Sequence, residues 1–320
     1  MADSYTRLVQ ALSDLLGADN VRAHERVARY TTWRVGGPAA LLCVVHDARA
    51  LARTVELVRD TSRPWLVLGR GSNVLVDDAG LDGVVIVNRA AGLTIDGTAV
   101  HAESGVLLSV LARQTAARGL VGLEWCHDIP GTVGGAVVNN AGANGGAIAD
   151  VLRAVRVLPV VGPVCAMDAC ELSFAYRRSA LRSEIAVPAG SRAVVLDARF
   201  TLQRGDAGPL KQRLNAQRTH RKATQPGGAN AGSVFKNPPN DSAGRLLQSV
   251  GLKGVRRGDA TISTLHANFI VTGPRARAAD VLALVALMRR RVREHCGVDL
   301  VPEVQFVQRG GCIGPPPEDP

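Results

Sequence analysis

One stretch constrains this chain more than any other. Residues 129–146, IPGTVGGAVVNNAGANGG, carry six glycines in eighteen positions, one proline and no charged side chain. Glycine loses more conformational freedom on folding than any other residue, so a cluster this dense answers a geometric demand. Three demands are common: tight turns, backbone packed on backbone, or a ligand resting on bare peptide N–H groups. A second glycine turn, LGRGSN at 68–73, ends a predicted strand. Neither segment is a Walker A loop, because no Lys-Ser/Thr pair follows. Neither is a GxGxxG turn opening a helix after a first strand, which disfavours a Rossmann site. A tight turn explains each loop alone as well as a ligand does. Together, with Ser72 and Asn73 as added donors, they suit a diphosphate held from both sides by backbone amides.

The charge balance agrees with an anionic ligand. The chain of 320 residues has 38 Lys and Arg against 28 Asp and Glu, a net charge of +10. Such a chain attracts phosphorylated molecules. The arginines are scattered, and the densest run, MRRRVREH at 288–295, reads as the solvated face of a helix. No basic stripe with interleaved aromatics appears, which argues against nucleic-acid binding. Six cysteines form no CxxC pair and no Cys/His zinc spacing, so no metal site is expected and a reducing, cytoplasmic compartment is. The N-terminal MADSYTRLVQALSDLLG lacks a basic region followed by an apolar one and is not read as a signal peptide. No apolar run reaches membrane-spanning length.

Periodicity predicts an amphipathic helix over 4–16, then the strand ALLCVV, a helix capped by Asp47, and the strand PWLVLG. Short alternating pieces follow, GVVIVNR, LTIDG and AVHAESG, as a meander of strands. A helix ends at Gly119, and two more strands, VLRAVRVLP and RAVVLDARFTLQ, flank the middle of the chain. Composition shifts near 204–212, where a boundary is placed. Beyond it come a helix at 242–250, the strand HANFIV, a long helix at 279–295 and a last strand VPEVQFV. The tail RGGCIGPPPEDP reads as disordered.

The order of motifs then carries a resemblance. TTWRVGGPA, VLGRGSNVLV, GLEWCHDIPGTVGGAVVNNAG, FAYRRS, AGSVFKNP, GLKG, HANFIV and PEVQFV, over roughly residues 20–307, resemble the UDP-N-acetylenolpyruvoylglucosamine reductase family, in its shorter class. That family performs a committed step of peptidoglycan precursor synthesis. The resemblance implies an α+β fold: a two-subdomain FAD-binding unit of the p-cresol methylhydroxylase and vanillyl-alcohol oxidase type, with a C-terminal α+β substrate domain. Its expected parts are a helix over 1–19, FAD-binding subdomains over 20–80 and 81–204, a substrate-binding domain over 205–307, and a disordered tail over 308–320. It implies an oxidoreductase using FAD and NADPH on a UDP-sugar, with no nucleic-acid or membrane partner, and a monomer is expected.

By resemblance, Arg177 contacts the substrate carboxylate, Ser233 is the proton donor and Glu303 the catalytic glutamate. Arg34, Gly69, Arg70, Gly71, Ser72, Asn73, Ile129, Pro130, Gly131, Thr132, Gly134 and Gly135 are the expected cofactor contacts. Tyr176, Lys236 and Asn237 are the expected substrate contacts. The chemistry suits these residue types. Hydride addition to an enol ether beside a carboxylate builds enolate charge, which a planar guanidinium neutralises in two places at once. The adjacent carbon then needs a proton from a placed acid. The chain departs from the family at His127-Asp128, where Ala-Gly is common, at Asn144, where tyrosine is common, and at Thr224, where a basic residue is common; Lys222 stands two positions earlier. Other readings are a paralogue acting on another enolpyruvyl nucleotide, a related FAD oxidase or dehydrogenase, and a non-catalytic nucleotide-binding paralogue.

Overall fold

In the computed structural model, which describes residues 2–183 and 185–318, the first layer is a β-α-β unit. Helix α1 (Ala2–Leu16) and helix α2 (Ala48–Arg59) cover one side of a sheet ordered Val21–Ala23, Ala39–Val45, Leu81–Asn88, Trp65–Leu68. The last three strands are parallel, and they read as near-continuous apolar runs because both faces are covered. Asp47 caps α2 as expected, its carboxylate accepting from the Ala50 N–H at 2.7 Å. The boundary expected at 80/81 falls at the edge of a strand that the sheet needs. Leu81–Asn88 lies between its two parallel partners, so this unit runs on to Asn88.

The second layer is a five-stranded antiparallel sheet, ordered Cys165–Asp168, Leu152–Leu158, Val194–Thr201, Ala99–Glu103, Leu93–Asp96. Helix α3 (Leu108–Ala116) and the short helices α4 (Val133–Val138) and α5 (Ile148–Val151) contribute to its apolar core. Gly119 ends the α3 region with φ of +67°. The segment near 204–212, where a domain boundary is expected, opens an eighteen-residue helix, α6 (Ala207–Thr224). Its Asp206 cap was hidden among Gly and Pro. Only Leu210 and Leu214 are buried, on Ala116 and beside Val121, too few to show as a periodic stripe.

The third unit packs α7 (Ala243–Ser249) and α8 (Ala278–Cys296) with the sheet Arg256–Arg257, Ala260–Ile262, Ile270–Thr272. Within MRRRVREH, Met288 and Val292 are fully buried, so that run combines a solvated face with a core stripe. The expected strand HANFIV is shorter than its apolar run. Residues before Ile270 form a turn, because Asn268 spends its side chain on another segment, as described below. Trp33, from the TTWR motif, is fully buried in this third core, and its Nε1 donates to the Ile270 carbonyl at 2.8 Å. Asp78 caps α8 from the first layer, accepting from the Ala278 and Ala279 N–H groups at 2.8 and 3.0 Å. A carboxylate at that helix end also meets a favourable dipole.

A fourth sheet joins remote segments: Val187–Pro188, Cys312–Gly314, Gln305–Val307 and Val74–Val76. It corrects the expectation of a disordered tail. Cys312–Gly314 pairs on both sides, Ile313 is buried, and Glu318 lies 2.6 Å from Arg289 of α8. A Gly/Pro-rich composition conceals such a strand, and one of its two partners, Val187–Pro188, lies over a hundred residues away. Residues 319 and 320 lie outside the described residues. Among the described residues, no helix is long and apolar enough to cross a membrane.

Candidate active site

The two glycine loops meet each other. A Cβ placed on Gly69 would stand 2.4 Å from Thr132 Oγ1, and one on Gly134 would stand 2.9 Å from the Ser104 Cβ. Further along the segment, a Cβ on Gly146 would strike the Trp125 ring at 2.3 Å. These glycines are small so that protein can pack on protein. Gly131, Gly135 and Gly232 differ. Added Cβ atoms there would meet nothing closer than 3.5 Å, 3.8 Å and 4 Å respectively, yet all three line one cavity of about 400 Å³. Side chains at these positions would fill the cradle itself.

That cavity gathers most of the expected cofactor residues: Gly69, Arg70, Gly71, Ser72, Asn73, Ile129, Pro130, Gly131, Thr132, Gly134 and Gly135 all line it. Arg177, Ser233 and Glu303 line it as well. Arg34 does not; it faces a neighbouring, more basic cleft, to which Arg70 and Pro130 also contribute. Asp128 lines only that second cleft and is hydrogen-bonded to His127 Nδ1 at 3.1 Å, so it stays outside the cavity that the glycine loops line. Tyr176, Lys236 and Asn237 line neither cavity. Tyr176 is exposed, and its hydroxyl accepts from the Asn237 N–H at 3.4 Å.

Three segments hold the catalytic candidates in place. Tyr176 and Arg177 form the tip of a tight turn closed by reciprocal Ala175–Arg178 backbone bonds of 3.1 and 3.0 Å. Arg177 sits there at φ of +54°, a left-handed conformation costing a side-chain-bearing residue about 1–2 kcal/mol. Its Nε lies 2.9 Å from Glu303 Oε1, an ion pair without hydrogen-bond alignment, while its guanidinium stands 5.5 Å from the Tyr176 ring centre. The backbone at Glu303 is fixed from both sides. Its N–H donates to the Val234 carbonyl at 2.8 Å, and its carbonyl accepts from Arg182 Nη2 at 2.9 Å and Asn73 Nδ2 at 3.1 Å.

Ser233 rides on a segment clamped by Asn268. The buried Asn268 amide accepts from the Phe235 N–H at 3.0 Å and donates to the Phe235 carbonyl at 2.9 Å, replacing a strand partner. His266 Nδ1 accepts from the Asn268 N–H at 3.2 Å. Burial, and then the charge of Lys253, hold the His266 pKa below the ordinary imidazole value.

Sequence reasoning missed Arg182, a buried arginine in the cavity wall that also donates to Asn139 Oδ1. Its only signal was its place five residues after Arg177. It also missed Arg192 and Gln305, which approach each other at 3.4 Å in the same wall.

Two family patterns divide the chain along these lines. The pattern of the FAD-binding domain matches residues 39–166, and that of the UDP-N-acetylenolpyruvoylglucosamine reductase C-terminal domain matches residues 223–307. The UDP-N-acetylenolpyruvoylglucosamine reductase of Chloroflexus aurantiacus is 42% identical over 290 residues, covering 88% of this chain and 96% of that protein. The chain belongs to the UDP-N-acetylenolpyruvoylglucosamine reductase family. The enzyme of that name from Halalkalibacterium halodurans is 38% identical across 94% of this chain and 98% of its own length. The crystal structure of the reductase from Thermus caldophilus superposes with a TM-score of 0.74 at 39% identity, covering 89% of this chain and 99% of the other. Members of the reductase family are FAD-dependent oxidoreductases that use NADPH in peptidoglycan precursor synthesis. The open positions at Gly131, Gly135 and Gly232 fit a flat, extended cofactor lying against backbone.

Proposed function

We propose that this chain reduces UDP-N-acetylglucosamine enolpyruvate to UDP-N-acetylmuramate, with Arg177, Ser233 and Glu303 as its catalytic residues. One observation carries the assignment of residues: all three line the cavity that the two glycine loops enclose. The loops 69–73 and 129–135 would hold FAD there. When bound, FAD supplies hydride transfer from the nicotinamide to the enolpyruvyl methylene carbon.

The remaining work belongs to side chains. Glu303 engages Arg177 through Nε, and among the described residues no other carboxylate pairs with this guanidinium, whose fork suits the substrate carboxylate. That placement stabilises charge where it develops as the enolate forms. Arg177 is held in an unfavourable backbone conformation, so its fork is positioned before substrate arrives. Ser233 Oγ holds the proton destined for the carbon next to the carboxylate. Glu303, one backbone bond away across Val234, stabilises the same region as a proton-sharing acid. Tyr176, Lys236 and Asn237 bind the UDP-sugar at the outer edge of Arg177.

The test is a visible spectrum taken in sequence under anaerobic conditions. A yellow protein that bleaches with NADPH and regains colour with the enolpyruvyl UDP-sugar is the expected result. Bleaching reversed only by oxygen would overturn the substrate, and a protein that takes up no FAD would overturn the reading altogether.

A further inference from the structure

The pattern of the reductase C-terminal domain stops at Val307, but the chain beyond it stays on the molecule. It turns over residues 308–311, where the Gln308 N–H donates to the Cys312 carbonyl and the Gly311 N–H to the Gln308 carbonyl, both at 2.9 Å. It then returns as Cys312–Gly314, wedged between Gln305–Val307 and Val187–Pro188. A Cβ on Gly311 would stand 2.2 Å from the Pro64 Cβ, and one on Gly314 would stand 2.6 Å from the Ala186 Cα. The glycines of this segment therefore let it lie flat against other backbone. On the outside, Arg309 pairs with Asp82 at 2.9 Å and Glu318 with Arg289 at 2.6 Å.

One side chain of this strap reaches the cavity that the glycine loops line. Ile313 is buried and lines it, as does its register partner Val307. Trp65, Pro188 and Arg192 line the cavity too, and Arg192 Nη2 donates to the Ile313 carbonyl at 3.4 Å. This stretch lies away from the catalytic candidates. The Gln305 N–H meets the carbonyl of Asn73, in the first glycine loop, at 3.0 Å. From there the strand runs two residues on to Val307, about 7 Å. Trp65 likewise begins the strand whose other end leads into Gly69. The cavity thus has three stretches in order: Arg177, Ser233 and Glu303; the glycine loops; and an apolar end carrying Trp65, Val307 and Ile313.

FAD has three parts in a matching order, the ring system, the diphosphate and the adenosine. With the ring beside the catalytic residues and the diphosphate on the loops, the adenosine is left for the apolar end. We propose that residues 309–318 form a latch over that end, and that Ile313 sets how fast FAD leaves without taking part in the reaction. The inference rests on the reductase reading above. The latch is built to open by itself. Its ion pairs are exposed at Arg309, Asp82 and Glu318, and such pairs hold little. Apart from its glycines, only Ile313 and Pro316 are buried. A segment with so few buried contacts opens at far lower cost than the whole fold. The strand Gln305–Val307 keeps its parallel pairing with Val74–Val76 when the strap is out.

The test compares FAD-loaded protein with two variants, Ile313→Ala in the whole chain and a chain cut after Gln308. FAD release is followed by the rise of free-flavin fluorescence after dilution. Release is expected to be roughly tenfold or more faster in the cut chain and roughly threefold faster in Ile313→Ala, which loses only the buried contact. With FAD in saturating excess, bleaching by NADPH and recolouring by the enolpyruvyl UDP-sugar should stay within about twofold of wild type, because the strap lies away from the ring. Unchanged release in Ile313→Ala would overturn the inference. Half-reactions slowed as much as release is quickened would overturn it too, and make the strap a support for the whole cavity. The apoprotein Tm shows whether the cut chain folds; if it does not, Ile313→Ala decides alone. Wild-type protein that takes up no FAD would break the reductase reading instead.

Discussion

The two cavities share a wall and are built in opposite ways. The cavity proposed for flavin is lined by glycine loops that press on each other, and its charges meet partners: Arg177 meets Glu303, and Arg182 meets the Glu303 carbonyl and Asn139. The neighbouring cleft is larger, and most of its cations stand without carboxylates. Paired charge and close packing fix geometry before a ligand arrives, which suits a resident cofactor and a reaction needing sub-ångström placement. Unpaired charge around open space suits a ligand that comes and goes, because attraction reaches further than contact.

That contrast can be broken most severely at its chemical end. Ser233→Ala and Glu303→Gln are expected to slow recolouring by the enolpyruvyl substrate by about 10²–10⁴-fold, the usual worth of a placed acid. Bleaching by NADPH should persist, and stopped-flow absorbance separates the two half-reactions. Equal slowing of both would place these side chains in cofactor binding instead. A pair of glycine variants sharpens the packing side. Gly69→Ala puts a methyl 2.4 Å from Thr132 Oγ1 and should cost about 1–3 kcal/mol of stability, visible as a lower Tm even without FAD. Gly135→Ala meets only ordinary contact at 3.8 Å. It should leave the apoprotein Tm unchanged or slightly raised, since alanine favours a helix by about 1 kcal/mol, while lowering the FAD-to-protein ratio after purification.

Salt offers a milder test. Raising ionic strength shortens the Debye length from roughly 10 Å at 0.1 M to about 3 Å at 1 M. The apparent KM for NADPH is therefore expected to rise several-fold while bound flavin stays in place. The smallest effect is expected at His266, outside the contrast. Its folded-state pKa is depressed by burial, so the unfolded chain takes up protons first. Stability is then full above the unfolded value of about 6.5 and falls as pH drops below it. His266→Gln should flatten that part of a Tm-versus-pH curve.

What could be read before folding depended on how local each cause was. Asp47 caps α2 through a contact three residues away, and the pattern around it sufficed. The glycine cluster was legible as a demand, but not its origin: Gly69 and Thr132 lie far apart in sequence, and only the fold reveals that several glycines serve protein packing while Gly131 and Gly135 leave space. The α6 helix buries two leucines and has almost no apolar stripe. Asn268 delays the start of the strand in HANFIV because its amide pairs with Phe235. Arg177, Ser233 and Glu303 are unremarkable as residues in their local contexts; the order of motifs singled them out. Arg182 carried no motif, and its burial depends on segments 139 and 303 coming together.

The strand Val74–Val76, which follows the first glycine loop, pairs in parallel with Gln305–Val307, and that strand in turn pairs with Cys312–Gly314. The cradle proposed for flavin therefore has a wall supplied by residues made long after its first glycine loop. Domains tend to fold in order as the chain emerges, yet Ile313, which lines the cradle, arrives more than two hundred residues after Gly69. A nascent chain halted in the third unit can bury most of its first two cores and still have no closed seat for flavin. Yellow colour would then report that synthesis of this chain has passed Ile313.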